Sequence, residues 1–129
     1  MSSTPGDRER GTRVRREVLG DAHVDRAIAG TDAFTADFQD FITRYAWGEV
    51  WDRPGLARRE RSVATLAALI ALGAENEIAM HVRAALRNGL TAEEIKEVIL
   101  HTALYAGLPR ANAAFAIAQQ VLAEHRDPD

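Results

Sequence analysis

The 129-residue chain contains no cysteine. That removes disulfides, thiolate nucleophiles, CxxC redox pairs and cysteine-ligated zinc together. Lysine is almost as scarce: Lys96 stands alone beside fifteen arginines, so Schiff-base chemistry rests on that residue or is absent. No apolar run is long enough to cross a membrane, since the longest, residues 63–74, is interrupted by Thr65 and Gly73. The polar, charged residues 1–16 lack the apolar stretch of a secretory signal. There is no basic excess either: 16 basic residues against 19 acidic ones give a net charge of -3, which argues against a protein held on nucleic acid by bulk charge. A glycine-rich phosphate loop, a GxSxG elbow, an EF-hand loop and HExxH are all missing, so nucleotide, serine-hydrolase, calcium and zinc-protease chemistry have no warrant.

What remains is 47% hydrophobic and 27% charged, close to an ordinary globular domain. The length suits one domain, expected over residues 7–126 after a frayed tail at 1–6, soluble and cytoplasmic. Residues 7–19 are helical in type and rich in arginine. They read either as a basic arm or as a solvated helix face that docks Val14, Val18 and Leu19, the interleaved Glu9 and Glu17 favouring the second. Phe34, Phe38, Phe41, Ile42 and Tyr45 recur at helical spacing and predict a helix packing an aromatic face. Asp52-Arg53-Pro54-Gly55 is a strong turn signal. Residues 56–72 then read as a helix apolar nearly all round after Arg61, which must be buried in the domain or against another subunit. Further helices are expected over residues 75–88, over 91–106 behind the capping box Thr91-Ala92-Glu93-Glu94, and from Pro109 to about Glu124. With no strand-like alternation and no internal repeat, the expected fold is all-α with about six helices.

Imidazole titrates near neutral pH, so histidines are the first candidates for proton transfer. His23 follows a helix stop and His125 lies near the end of the chain, whereas His81 and His101 fall within helices. Glu77 and His81 share a helix face at i,i+4 spacing. They are either an oriented acid–base pair or an ordinary surface pair. Glu97, His101 and Tyr105 form a second line, in which the Tyr105 hydroxyl either faces a developing oxyanion or packs half-buried beside His101. Trp47 and Trp51 belong either to the core or to the wall of a small-molecule pocket. Arginines cluster at 53, 58, 59 and 61 and again at 83, 87 and 110, a supply of bidentate carboxylate partners most of which will simply be solvated.

Three segments together carry more weight than any spacing. They are Trp47-Gly48-Glu49-Val50-Trp51 within residues 41–56, Met80-His81-Val82-Arg83-Ala84-Ala85, and His101-Thr102-Ala103-Leu104-Tyr105-Ala106-Gly107-Leu108-Pro109 followed by residues 111–115. In these, and in Arg15, residues 17–20 and His23-Val24, the chain resembles the gamma-carboxymuconolactone decarboxylases of the alkylhydroperoxidase D-like superfamily. The peroxidases of that superfamily carry CxxC before a helical histidine. Laid on this chain, the histidine falls on His81, the cysteines on Ala74 and Glu77, and a relay glutamate near Ser62. Disulfide-based peroxide reduction is therefore chemically impossible, while the decarboxylase branch lacks that CxxC as well.

The resemblance implies a helical bundle assembled as a homo-oligomer, most simply a hexamer built as a trimer of dimers. It implies a reaction needing neither cofactor nor metal: loss of CO2 from a small dicarboxylate lactone, with no nucleic-acid or membrane partner. On that reading His81 donates a proton and Glu77 orients it, while His101 and Tyr105 face the lactone oxygen. Arg61, Arg83 and Arg53 hold carboxylates, and Trp47 and Trp51 wall the pocket. The alternatives are a related decarboxylase or isomerase acting on another lactone acid, and a non-catalytic helical binding module.

Overall fold

The computed structural model describes residues 5–126, so the first four residues of the expected tail lie outside the described part. The described residues form seven α-helices and one π-helical segment, with no strand. None of these helices is long and apolar enough to cross a membrane. The chain divides into two compact units, Met1–Ala57 and Arg58–Asp129.

In the first unit, α1 (Pro5–Leu19) docks Val14, Val18 and Leu19 and leaves most of its charged residues in or near solvent. Apart from the buried Arg15, the arginine-rich stretch is thus a solvated helix face. Gly20, at φ 91, breaks α1 from α2 (Asp21–Ala29), a short helix that the sequence pattern did not announce. Asp32 accepts the backbone N–H groups of Phe34 and Thr35 at 3.0 and 3.1 Å. This aspartate turn leads into α3 (Ala36–Ile42), which continues as a π-helical segment, Thr43–Val50. The π segment lies against α1 at unusually short range. A Cβ on Gly48 would sit 2.6 Å from the Asp7 carbonyl oxygen, and one on Gly11 would overlap the Thr43 carbonyl. Arg10 ties the two together by donating from Nε to the Gly48 carbonyl at 2.9 Å.

The aromatic stripe expected to pack is instead open. Phe34 is 94% exposed, and Phe38, Phe41 and Tyr45 also face solvent. The reason is local. The seven residues of α3 bury nothing, and inward packing begins only where the π segment turns Thr43, Trp47 and Gly48 toward α1.

The second unit is a four-helix arrangement of α4 (Arg58–Leu72), α5 (Glu75–Arg87), α6 (Ala92–Ala106) and α7 (Leu108–Arg126). Gly73, at φ 72, closes α4 with paired bonds from its own N–H to Ile70 and from Ala74 to Leu69, and the Arg110 guanidinium lies where a Cβ would be. Any other residue there would meet both a backbone penalty and a collision. The predicted capping box is present: Glu94 N–H donates to Thr91 Oγ1 at 3.1 Å, and Thr91 N–H donates to Glu94 Oε1 at 2.9 Å. Leu66, Ile70, Ile78, Val82, Ile95 and Ile99 form the core, closed by small residues of α7 at Ala111, Ala114 and Ala118. The helix read as apolar all round starts at Arg58 rather than 56 and buries one face, Ser62, Leu66 and Ile70. Val63 and Leu72 on its other sides remain exposed.

Candidate active site

The expected site residues fall in both units. In the second, α4 and α5 run antiparallel around the Gly73 turn, and Asn88 Nδ2 donates to the buried Ser62 Oγ at 2.9 Å. That bond sets the register. Arg61 lies one residue from it on the side away from the turn and His81 seven residues from it on the side toward the turn, so their backbones are separated by roughly 12 Å along the hairpin at about 1.5 Å per residue. Both are half-buried, and Arg61 Nε and His81 Nδ1 are shut off from solvent. Glu77 is exposed in the first turn of α5, one helical turn before His81 on the same face. Arg83 is exposed and pairs with Glu124 of α7 at 3.4 Å.

On α6 the structure brings His101 and Tyr105 together, with ring centroids 5.7 Å apart and planes inclined by 52°. The half-buried tyrosine expected on packing grounds is not found: Tyr105 is 81% exposed, because it points away from the α6 face carrying Ile95, Ile99 and Thr102. A cavity of about 530 Å³ opens between α4 and α6, lined by Val63, Ala67, Glu97, His101, Thr102 and Leu104. It is the size of a small-ligand site, with an apolar wall and two titratable side chains on it. A larger cavity of about 580 Å³, between α5, α6 and α7, has Lys96 and His125 in its lining and none of the expected site residues.

In the first unit Trp47 is buried and Trp51 half-buried, their rings 5.1 Å apart and inclined by 31°. The two residues stand four apart at the end of the π segment, where the Trp51 N–H donates to the Ala46 carbonyl at 2.9 Å. Arg53 is exposed in the following turn. Among the described residues no group of three or more His, Asp or Glu side chains is placed to hold a metal ion.

Sequence reasoning missed several partnerships. Arg59 bonds Glu94 through two nitrogens and also donates to the Gly89 carbonyl at 3.1 Å. Beside this guanidinium and the Thr91 N–H, the Glu94 carboxyl is held down at about 2. Ser62, noted only as a non-acidic relay position, proved to be the buried acceptor that sets the hairpin register. Nothing in the linear pattern marks these pairs, which lie 35 and 26 residues apart.

Comparison with known proteins places these features in a family. Residues 36–120 match the carboxymuconolactone decarboxylase family. The chain is 55% identical over 113 residues to a 4-carboxymuconolactone decarboxylase of Acinetobacter baylyi, covering 88% of this chain and 84% of the relative. It is 41% identical over 114 residues to a nitrosuccinic acid decarboxylase of Metarhizium robertsii, covering 88% and 80%. A Pseudomonas putida 4-carboxymuconolactone decarboxylase is 54% identical over 39 residues, 30% of this chain and 81% of that sequence. With the matched region spanning α3 through most of α7, and both Trp47 and His81 inside it, the chain belongs to the carboxymuconolactone decarboxylase family.

Proposed function

We propose that this protein is a cytoplasmic, cofactor-free carboxy-lyase that converts 4-carboxymuconolactone to 3-oxoadipate enol-lactone and CO2, a step of protocatechuate degradation in the beta-ketoadipate pathway. The observation that carries the reading is the 55% identity, across most of both chains, to a protein named for that activity. The chemistry suits a site without a cofactor. The departing carboxylate sits on a ring carbon joined, through the ring double bond, to the lactone carbonyl. When the C–CO2 bond breaks, its electron pair moves onto that carbonyl oxygen and leaves a 2-oxyfuran-like dienolate. A proton added at the ring carbon beside the carbonyl completes the enol-lactone. The substrate supplies its own electron sink.

The protein then has three tasks: to hold a dianion, to stabilise the oxyanion and to deliver one proton. In this proposal His81 donates the proton and Glu77 orients it. His101 and Tyr105 face the lactone oxygen, and Arg61, Arg83 and Arg53 are the carboxylate partners. The side-chain acetate is the group to grip, because holding the leaving carboxylate in the ground state opposes its loss. Trp47 and Trp51 exclude water. A homo-oligomer, a hexamer built as a trimer of dimers, accords with the open apolar side chains Leu72, Leu104 and Leu108 of the second unit. Light scattering that shows a monomer at micromolar concentration would contradict it.

The test is a coupled assay. 4-Carboxymuconolactone is generated in situ from protocatechuate by the two preceding enzymes, in buffer containing EDTA, and CO2 and enol-lactone are followed. Release well above the spontaneous rate is expected, with kcat lowered roughly 10²–10⁴-fold in His81→Ala, the usual contribution of a positioned general acid. Near-normal turnover by that variant would remove His81 from the mechanism. A second reading is favoured by the 41% identical relative: decarboxylation of an acid whose electron sink is another group, such as the nitro group of nitrosuccinic acid. Turnover of nitrosuccinate alone would select it, and turnover of neither acid by folded protein would leave a binding module.

A further inference from the structure

The arginines of α1 differ in one respect that their sequence does not reveal. Arg8 pairs with Asp40 at 2.7 Å, Arg10 with Asp7 and, at 3.6 Å, Asp52, Arg13 with Glu17 at 4.0 Å, and Arg16 with Asp21 and Asp25 at 3.1 and 2.9 Å. Arg15 is in no ion pair among the described residues, yet it alone of the five is buried, at 8% exposure. Its Nη1 donates to Gln39 Oε1 at 3.2 Å and, at the limit of 3.5 Å, to Thr43 Oγ1. Its Nε is shut off from solvent with no hydrogen-bond partner among the described residues. Burial pushes the guanidinium below its ordinary range, as expected where desolvation of the charge is not offset by an acid. An enclosed cation with neutral partners only is costly to a fold and calls for an anion.

Arg15 lines a cavity of about 360 Å³ that lies wholly within the first unit, with Arg8, Thr12, Ile28, Thr31, Gln39 and Asp40 also in its lining. Asp40 does not serve Arg15. It is bound by Arg8 at 2.7 Å and Arg44 at 2.8 Å, which hold its carboxyl below the usual range. Gln39 accepts from Arg15 through its oxygen, which leaves its amide N–H groups as donors for a guest. At about 30 Å³ for each small group, the cavity takes an acid of roughly ten non-hydrogen atoms. The planar guanidinium fork matches a carboxylate. Ile28 offers a short apolar wall, which suits the carbon chain of an organic acid and gives nothing to an inorganic anion.

We propose that this cavity is a binding site for a small organic carboxylate, with the buried Arg15 as its charge partner and Thr12, Thr31 and Gln39 as neutral donors. The site is independent of the decarboxylase reading and involves none of the residues assigned to that reaction.

The probe is succinate, titrated into the full-length protein while the Arg15 Nε–Hε resonance is followed by NMR and the heat of binding by calorimetry. That resonance is identified by its loss in Arg15→Met. Ile28→Trp, at an exposed position, narrows the cavity mouth while leaving Arg15 in place. The expected result is a saturable shift of the Arg15 resonance, with affinity for succinate about tenfold weaker or worse in Ile28→Trp, and in Arg15→Met if circular dichroism shows it folded. No shift at millimolar succinate overturns the proposal, as does succinate binding that Ile28→Trp leaves unchanged. Tighter binding of inorganic phosphate than of succinate at the same resonance overturns the carboxylate class.

Discussion

Residues 5–57 hold their helices together by close backbone approach and charge, whereas residues 58–126 hold theirs by side-chain volume. In the first unit Gly11 and Gly48 bring α1 and the π segment into near contact, and Arg8, Arg10 and Arg16 reach acids on neighbouring elements. Few large apolar side chains are buried there, and its aromatic stripe stays in solvent. In the second unit eight branched aliphatic residues interlock, and alanines on α7 let that helix come close. The contrast teaches that similar helical content hides two kinds of cohesion, one intolerant of added atoms and one intolerant of lost ones.

Three substitutions probe that contrast, each read by chemical denaturation at fixed protein concentration. The largest effect is expected for Ile99→Ala, which removes a core side chain that is 2% exposed and should cost about 2–5 kcal/mol. A loss well under 1 kcal/mol would mean that volume is not what holds the second unit. Gly11→Ala adds one methyl against the Thr43 carbonyl and should cost about 1–3 kcal/mol. A neutral or stabilising result would show that the α1–π approach relaxes freely and would dissolve the contrast. The smallest effect, and the most informative about charge in the volume-held unit, belongs to Glu94→Gln. The amide can still accept from Thr91 and Arg59, so chiefly the charge is lost. Because the folded carboxyl lies near 2 against an ordinary 4.5, its stabilisation is complete above about pH 4.5 and fades as pH falls toward 2. The denaturation midpoint of Glu94→Gln should therefore be lower than that of the parent at neutral pH and converge with it as the pH approaches 2. A constant difference across that range would assign the effect to packing.

Much of the fold was legible because helices are written locally. The Thr91–Glu94 capping box, the stops at Gly73 and Gly107 and the turn before α4 each depend on a few adjacent residues, and each is found where expected. Spacing failed where the backbone departed from the α-helix. Phe34, Phe38 and Phe41 fit a 3.6-residue period, but α3 gives way to a π segment that redirects packing to Thr43 and Trp47. The candidate site was legible as residue types. His101 and Tyr105 do meet, as residues four apart on a helix must. The distance between Arg61 and His81 depends on the register of a hairpin that Ser62 and Asn88 set across 26 residues.

By itself, then, the sequence determined the all-α class, most helix boundaries, the exclusion of thiol chemistry and the motifs that carry the family likeness, since each of these is a property of composition or of neighbours within a turn or two. Only the tertiary structure decided which apolar faces are covered, which of five similar arginines on α1 is buried without an acid, and which carboxylate is pulled down near 2. Burial and electrostatic pairing depend on what lies across space, and no local period encodes the residue that will arrive there.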